Sequence, residues 1–324
     1  MELSWCRSFV AVCDYGGFLA AAKATHRAQS RISAHVAALE RAVGDRLLNR
    51  DVHPPTLTAT GEAFLPHARA AVSEWEAALS AASWRTGVVR GVVSIGSIPS
   101  VTSQLLAPAM AEFATRYPDV AFEVHEGPNS WLDEALSRRT VQLTIRPAIN
   151  ERHTILTDQE PLLTDPFVVL MRHDDPLATH PSLTLDDLAG HRLITTGEAG
   201  FDPRVGVEFR ALLEDSLIQR EHSIAVTQPT SVFAFVYHGL GLGLIGHLAA
   251  RMNTYDALIA KPLDHPAAQR MIAVYRARAR PLPPATFHFL ENVRQRATRL
   301  NVEPRADASG LSDKRCVGSG GFHQ

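Results

Sequence analysis

The chain has 324 residues, about twice the length of one typical domain, so at least two domains are expected. Apolar residues make up 45% and charged residues 20%, which excludes disorder over most of the chain. The 32 basic and 34 acidic side chains nearly balance, which excludes a large basic field over the whole molecule. The first 60 residues carry seven basic and five acidic side chains, so this segment has a net charge of +2 and the remainder −4.

Three cysteines cannot form a disulfide framework. Cys6 and Cys13 lie on one face of an expected helix and are interpreted as small buried apolar residues. No apolar run reaches the roughly 18 residues that a membrane span needs, and Met1-Glu2-Leu3-Ser4 does not begin a signal peptide. We therefore expect a cytoplasmic protein that contacts no membrane.

Short helices are predicted at the N-terminus. Apolar residues recur at three- and four-residue spacing from Leu3 to Cys13, and Gly16-Gly17 ends this first helix. Residues 18–25 predict a second helix, and Gln29–Val43 predict a third, which Gly44 ends. Two short helices joined by a tight turn form a helix-turn-helix, whose second helix enters the DNA major groove.

A small hairpin or wing and then a long helix are expected next. Leu47-Leu48 and Thr56-Leu57 flank a segment that contains Pro54-Pro55. Thr58 is a suitable N-cap for an alanine-rich helix over residues 59–85, within a linker at 59–87. Apolar residues along this helix predict a dimerisation seam because no neighbouring segment looks long enough to cover them; the alternative is a face buried within one chain. The seam consists of Phe64, Ala68, Val72, Trp75 and Leu79.

From Gly91 onward, strands alternate with helices, which predicts an α/β domain with a largely parallel sheet. Strands are expected at 92–96, 120–124, 141–145, 161–171, 191–195 and 271–275. Helices are expected at 107–117, 131–137, 207–213, 231–237 and 287–300. Two lobes are expected within residues 88–300, one made of 88–160 plus 266–300 and the other of 161–265. Residues 301–324 are polar and rich in glycine and serine, and are expected to form a disordered tail.

One ordered set of residues runs through the N-terminal segment without a gap. It reads Phe9-Val10-Ala11-Val12, Gly17-Phe18, Ala21-Ala22, His26, Gln29-Ser30, Ser33, Leu39-Glu40, Gly44, Arg46-Leu47-Leu48, Arg50, and Leu57-Thr58 before Gly61-Glu62. This pattern resembles that of the LysR-type transcriptional regulators. The resemblance implies a winged helix-turn-helix at residues 1–58, a linker helix, and a two-lobed effector domain similar to periplasmic solute-binding proteins at 88–300.

Several positions depart from the family pattern. Ala28 stands where the family usually has a serine that caps the recognition helix, and alanine is the poorer cap by about 1 kcal/mol. Ala34 replaces a residue that is often basic or polar, and Gln142 replaces a common aspartate. The wing keeps only Arg50 and His53 for contacts with phosphate, so the resemblance implies that oligomerisation matters for DNA binding.

The first turn of the third helix is the predicted DNA-reading surface. Gln29, Ser30, Arg31 and Ser33 occupy this turn. Glutamine can bond adenine N6 and N7, and arginine can bond guanine O6 and N7. Arg50 and His53 of the wing complete the expected DNA contacts. The alternative is a solvated polar face on an ordinary three-helix bundle.

An effector site is expected beyond the carboxyl ends of the strands, where helix N-termini favour anions. The candidates in the first lobe are Ser97, Ser100, Thr102 and Arg146, and those in the second are Thr195, Thr196 and Phe201. Arginine matches a carboxylate, so a small anion such as a carboxylate is the expected effector. Alternatively, the hydroxyl groups only cap helices, and Arg146 pairs with a local acid such as Glu126.

Residues 241–246 match G-x-G-x-x-G, but a helical stretch precedes the glycines and a strand-like run follows. No metal-ligand cluster or catalytic triad is recognised, so neither a cofactor nor a metal nor an enzymatic activity is expected. The favoured hypothesis is a ligand-responsive transcription regulator that binds promoter DNA, an effector and itself, as a dimer or tetramer, with RNA polymerase as a further partner. The alternatives are a small-molecule-binding α/β protein or an α/β enzyme without DNA function.

Overall fold

A computed structural model describes residues 2–84, 89–148, 157–197, 209–213, 223–278 and 281–302. The helices in these ranges are α1 Leu3–Asp14, α2 Phe18–Ala24, α3 Gln29–Val43, α4 Ala59–Trp84, α5 Pro99–Val101, α6 Ala107–Arg116, α7 Asn129–Ser137, α8 Arg210–Leu213, α9 Pro229–Tyr237, α10 His247–Ala250 and α11 Pro284–Val302. The strands are β1 Leu48–Asn49, β2 Thr56–Leu57, β3 Gly91–Ser97, β4 Val120–Glu126, β5 Leu143–Pro147, β6 Thr157–Arg172, β7 Leu193–Thr196, β8 Ile224–Val226, β9 Leu242–Gly246, β10 Leu258–Pro262 and β11 Gln269–Ala277. A π-helical turn, Thr102–Leu106, joins α5 to α6.

Helices α1, α2 and α3 surround the N-terminal core, as the apolar spacing predicts. The apolar stripe of each helix supplies fully buried side chains to this core. They include Cys6, Phe9, Ala21, Ile32, Val36 and Leu39. Strands β1 and β2 pair antiparallel, with Leu48 opposite Leu57, so the small wing is confirmed. Burial also raises the pKa of the Cys13 thiol to about 12, which keeps this thiol neutral.

Thr58 precedes helix α4 and caps it as expected, because its Oγ1 accepts a hydrogen bond of 3.0 Å from the Gly61 N–H. Contrary to expectation, however, the N-terminal half of α4 is covered within its own chain. Ala68 is 1% exposed, and Phe64 and Val72 pack against the N-terminal core. The physical reason is that α1 lies alongside α4, held by ion pairs from Arg69 to Asp14 and from Arg7 to Glu76.

The large sheet joins both lobes, with strand order β4-β3-β5-β11-β6-β9-β7-β8, and with β10 paired to β6. The expected parallel pairs are β3 with β4 and β5, and β7 with β8 and β9. Strand β11 runs antiparallel to β5 and β6, and β6 runs antiparallel to β9 and β10. The sheet is therefore mixed rather than largely parallel, because the chain passes between the lobes along β6 and returns along β11.

Each lobe has its own buried core. The first core lies between the β3–β5 half of the sheet and helices α6 and α11, and includes Ile95, Leu105, Phe113, Leu143 and Phe289. The second lobe buries residues on both faces of its half of the sheet, including Phe167, Leu193, Phe209, Phe233 and Ile245. Each such side chain contributes about 1.5–3 kcal/mol by leaving water. Two separate cores are what a cleft between lobes requires.

Other features bear on the remaining expectations. The glycine-rich run 241–246 contains strand β9, which agrees with the strand-like interpretation. Within the ranges given above, no helix is long and apolar enough to cross a membrane, and no cluster of potential metal ligands occurs. Helix α11 continues through Val302, so the expected tail begins at least two residues later; positions 303–324, like Phe201, lie outside the described residues.

Candidate functional site

Helix α3 presents its polar first turn to solvent and its apolar face to the N-terminal core. Gln29, Ser30 and Arg31 are exposed, and Ser33 is half-buried. Ile32 follows these residues on the opposite face and is fully buried. The preceding residue, Ala28, has the extended backbone of an N-cap, with φ −67° and ψ 138°, but no side chain to cap the helix. The expected DNA-reading side chains therefore share one accessible turn.

Glu40 connects this helix to the wing, a role that sequence reasoning missed. Its Oε1 accepts hydrogen bonds from the backbone N–H groups of Leu47 and Leu48, at 3.0 and 3.3 Å. Its Oε2 accepts a hydrogen bond of 2.7 Å from Arg50. The Arg50 guanidinium also lies over the Phe18 ring, 5.2 Å from its centre. Arg50 thus helps to hold the wing, whereas His53 at the wing is exposed.

A cavity of about 150 Å³ lies between the two lobes. It is situated at the carboxyl ends of the parallel strands of both lobes, the position expected for a ligand in open α/β sheets. The first-lobe residues that line it are Ile98, Pro99, Ser100, Gly127, Pro128, Asn129 and Pro147. The remaining lining residues are Thr196, Gly197, Thr227, Gln228, Pro229, Ala249 and Arg270.

Two of the residues expected to bind an effector, Ser100 and Thr196, line this cavity. Ser97 and Thr195 are fully buried at strand ends, and the Ser97 hydroxyl donates to the carbonyl of Ile145 at 3.2 Å. Thr102 is half-buried in the π-helical turn and is not among the residues that line the cavity. The type of a side chain and its nearness to a strand end in the sequence were therefore not enough to predict which hydroxyl groups line the cavity.

Arg146 lies inside strand β5 rather than after it, and it does not line the cavity. Its guanidinium pairs with Asp133 of α7 and lies 3.9 Å from the centre of the Tyr275 ring. Side chains alternate between the two faces along a strand, and β5 extends to Pro147, so Arg146 and Pro147 point to opposite faces; Pro147 is the one that lines the cavity. The acid partner is therefore Asp133, not Glu126.

Arg270 of β11 is the arginine that lines the cavity. Its Nε and Nη2 lie 2.9 and 2.8 Å from Oδ2 of Asp165, and both side chains are buried, at 8% and 1% exposure. Oδ1 of Asp165 accepts a hydrogen bond of 2.9 Å from the Leu248 N–H. Gly246 makes room for this pair, because a Cβ there would overlap Asp165 Oδ2 and Arg270 Nη2.

Two nine-residue helices from opposite lobes begin at the cavity. Asn129 is the first residue of α7, and Pro229 is the first residue of α9. Their N-terminal N–H groups and helix dipoles favour a negative charge nearby. Sequence reasoning missed Asn129 and Gln228, although Gly127-Pro128 follows the end of β4 just as the predicted Ser100 follows the end of β3.

Comparison with known proteins identifies both halves of the chain. Residues 3–62 match the family described as bacterial regulatory helix-turn-helix protein, lysR family, and residues 86–298 match the LysR substrate binding domain. The chain belongs to the LysR family of transcriptional regulators. Members of this family are ligand-responsive, DNA-binding regulators, which confirms the fold class and the function expected from the sequence.

Individual relatives agree with this assignment. The chain is 25% identical over 293 residues to YbhD of Escherichia coli strain K12, an HTH-type transcriptional regulator, with 89% of each chain covered. It is 27% identical over 262 residues to AlsR of Bacillus subtilis strain 168, covering 81% of this chain and 85% of AlsR.

Solved structures of similar fold include a full-length OxyR variant from Pseudomonas aeruginosa and full-length CbnR in complex with its target DNA. The OxyR structure has a TM-score of 0.70 at 20% identity and covers 93% of this chain and 96% of its own. The CbnR structure has a TM-score of 0.63 at 20% identity and covers 91% of this chain and 99% of its own. At this level of identity, the likeness extends to the fold alone.

Proposed function

We propose that this LysR-family regulator reads promoter DNA with the first turn of α3. The exposure of Gln29, Ser30 and Arg31 on a helix whose other face is buried is the observation that carries the proposal. Ser33 lies at the edge of this surface, and His53 at the wing contacts phosphate. Arg50 has a smaller part in DNA binding than its charge suggests, because it pairs with Glu40. Because it reads promoter DNA, we also propose that this protein works in the cytoplasm.

We further propose a division into a DNA-binding domain at 1–58, a linker helix at 59–87 and an effector domain at 88–300. The lobes of the effector domain would comprise 88–160 plus 266–300, and 161–265. The two cores support this division in outline, with the difference that Leu163 and Leu248 of the 161–265 segment pack into the first core.

Self-association is proposed to use the C-terminal half of α4. Trp75 and Leu79 are 49% and 43% exposed, whereas Ala68 packs within the chain. Two large apolar side chains four residues apart on one helix face form a suitable contact for a second helix. A dimer through this face would present two α3 helices to DNA, and a tetramer would present four. RNA polymerase remains a proposed further partner.

The cavity between the lobes is proposed as the effector site, and its occupant as a small anion such as a carboxylate. Support comes from Arg270, from Ser100 and Thr196, and from the starts of α7 and α9, which reach the cavity from opposite lobes. A ligand that touches both lobes favours the closed arrangement by its differential affinity for it. Closure would then change the spacing of the DNA-reading helices.

A gel-shift titration with the DNA upstream of the protein's own gene tests the DNA-binding proposal. The full chain should shift this DNA in the presence of excess random duplex. The variant Arg31→Ala should need a higher protein concentration, while Arg172→Ala, on the exposed end of β6, should not. Equal shifts of upstream and random DNA by the parent protein would contradict specific promoter binding.

A further inference from the structure

A buried hydroxyl group of α1 is hydrogen-bonded to a histidine of the DNA-reading helix. Among residues 2–79, all of which the structure describes, Ser8 is the only buried polar residue. Its Oγ lies 2.8 Å from Nδ1 of His35 in α3 and donates a hydrogen bond of 3.1 Å to the Ser4 carbonyl. A buried hydroxyl group costs free energy unless it is hydrogen-bonded. The ring that Ser8 holds therefore explains this position better than packing does.

The two hydrogen bonds of Ser8 fix the orientation of the His35 ring and the place of its proton. A hydroxyl group has one proton, which goes to the Ser4 carbonyl, so the N–H at Nδ1 of His35 donates to Ser8. In the neutral ring, Nε2 then carries a lone pair and no proton. Nε2 makes no hydrogen bond to the described residues and is not one of their buried unpaired atoms, so it meets solvent.

His35 lies at the edge of the DNA-reading surface. It follows Arg31 by four residues and extends the same side of α3 by one turn. Ala34 is exposed, whereas His35 is half-buried at the flank of the helix that adjoins α1. A ring tied to α1 at this flank is held back from the base edges in the groove, but the phosphates lie on either side of a helix in the major groove. The expected partner of Nε2 is therefore a phosphate.

The charged residues around the ring belong to α3 and to the helices α1 and α2 packed against it. Arg7, Asp14 and Glu40 are each neutralised by an ion pair. No aspartate or glutamate occurs from residue 15 to residue 39. Ahead of α1, the Glu2 carboxylate accepts a hydrogen bond of 3.1 Å from the Ser4 hydroxyl. The cations that make no ion pair among the described residues are Lys23 on α2 and Arg31 and Arg41 on α3.

These surroundings couple the charge of the ring to DNA. Histidine changes its charge between about pH 5 and pH 8. The neutral ring offers a phosphate only the lone pair at Nε2, because the proton at Nδ1 is donated to Ser8. The protonated ring donates at both nitrogens, and a phosphate supplies the counter-charge that the nearby cations do not.

We propose that the protonated His35 ring contacts a DNA phosphate through Nε2, so that each subunit takes up one proton as it binds DNA. Ser8 is the positioning residue that holds the ring for this contact. Because the bound state holds the extra proton, DNA binding strengthens as the pH falls, and the gain is lost as the pH rises and the bound ring loses that proton. The inference rests on the proposed entry of α3 into DNA, and it adds a pH dependence that base reading alone would not show.

Fluorescence anisotropy at pH 6 and pH 8, with the full chain and both upstream and random duplexes, tests this inference. The parent should bind about tenfold more tightly per subunit at pH 6 than at pH 8. His35→Gln should lose this difference, because its amide can bond Ser8 and a phosphate without titrating. The loss should be equal on both duplexes, since a phosphate contact carries no sequence information. His67→Gln, at an exposed position of α4, is the matched control and should keep the pH dependence of the parent.

The salt dependence of binding distinguishes a phosphate contact from a purely structural role of His35. Each phosphate that a protein cation neutralises steepens the fall of log K with log salt by about 0.9. The slope of the parent should exceed that of His35→Gln by about this amount per subunit at pH 6, and the two slopes should agree at pH 8. Ser8→Ala frees Nδ1, so the neutral ring can carry its proton at Nε2, and this variant should lose most of the pH dependence with His35 still present.

Three results would overturn the inference: a His35→Gln variant that keeps the pH dependence of the parent, equal salt slopes of the two proteins at pH 6, or loss of the pH dependence in His67→Gln to the same extent. Melting temperatures of all variants at both pH values show that the binding changes do not arise from unfolding. Failure of the proposed function has a different signature, because the parent would then bind upstream and random DNA equally at both pH values.

Discussion

The first turn of α3 and the cavity between the lobes both present polar side chains, but in opposite physical settings. On α3, Gln29, Ser30 and Arg31 lie in water. At the cavity, Arg270 is buried and hydrogen-bonded to Asp165, whose other oxygen accepts from the Leu248 N–H. The recognition surface is thus solvated before it meets a partner, whereas the cavity wall is fixed by interactions within the protein.

Because of this difference, substitutions in α3 should change DNA binding, whereas substitutions in the buried pair should change the stability of the fold. Removing a solvated side chain from α3 changes what the protein binds and leaves folding nearly unaffected. Removing one member of the buried pair leaves a charge without its partner in a medium of low polarity. Substitutions at the two places should therefore give opposite patterns in unfolding and in binding experiments.

The largest expected effect is that of Asp165→Ala. It leaves the Arg270 guanidinium buried without a carboxylate and removes the acceptor of the Leu248 N–H, so the free energy of unfolding should fall by about 3–5 kcal/mol. Urea titration followed by circular dichroism measures this loss. The matched control is Asp174→Ala, which removes the acid of the exposed pair with Arg172 and should leave the urea midpoint unchanged. Equal effects of both changes would contradict the difference between the buried and the exposed ion pair.

Smaller effects are expected from substitutions in α4, whose N-terminal half is buried within the chain and whose C-terminal half is exposed. Ala68→Glu places a charge in the N-terminal core and should lower the free energy of unfolding by about 2–3 kcal/mol. Trp75→Glu alters a position that is exposed in one chain, so it should shift the mass measured by light scattering toward the monomer. Its unfolding curve should match that of the parent at dilutions where the parent is also monomeric. A Trp75→Glu variant with the parent's mass at every concentration would exclude this part of α4 from self-association.

Arg31→Ala should weaken binding to the specific DNA by about 1–3 kcal/mol and relax the base preference at one position. Its free energy of unfolding should stay within about 0.5 kcal/mol of the parent value, because the side chain is exposed. Fluorescence anisotropy with specific and random duplexes measures the binding. An equal loss on both duplexes would instead assign Arg31 to a phosphate contact.

The smallest expected effect is a gain in stability at the start of α3. Ala28→Ser supplies a hydroxyl at an N-cap with suitable backbone angles and should raise the free energy of unfolding by about 0.5–1 kcal/mol. Ala34→Ser, inside the same helix and exposed, is the control and should give no gain. Thermal unfolding of both variants decides the matter, and a gain from Ala34→Ser alone would refute capping as the cause.

The N-terminal region could be predicted closely from the sequence because its contacts are local. The signals that predict it are the apolar spacing in α1 and α3, the helix-ending Gly44 and the helix-capping Thr58. Each of these affects the structure only within a few residues of the chain. The covering of Ala68 by α1 could not be predicted this way, because helical periodicity does not say which partner a face meets.

The cavity depends on contacts between distant segments, and there prediction was partial. Its position could be predicted because ligands of open α/β sheets bind beyond the carboxyl ends of the strands. The same rule correctly predicted that Ser100 and Thr196 line it. Arg146 was misplaced because the limits of β5 decide which way the side chain points. Arg270 and Asp165 are more than a hundred residues apart, and no local pattern connects them.

The position of β11 in the sheet has a consequence for how the protein folds as it is made. Strand β11 lies between β5 and β6, and α11 covers the first core, so the first lobe consists of an early segment and the last described one. The second lobe is built largely from the intervening chain. Synthesis from the N-terminus exposes β5 with an unpaired edge until the chain has passed residue 277. Nascent chains that stop short of β11 should therefore aggregate through the first lobe while the DNA-binding helices are already folded.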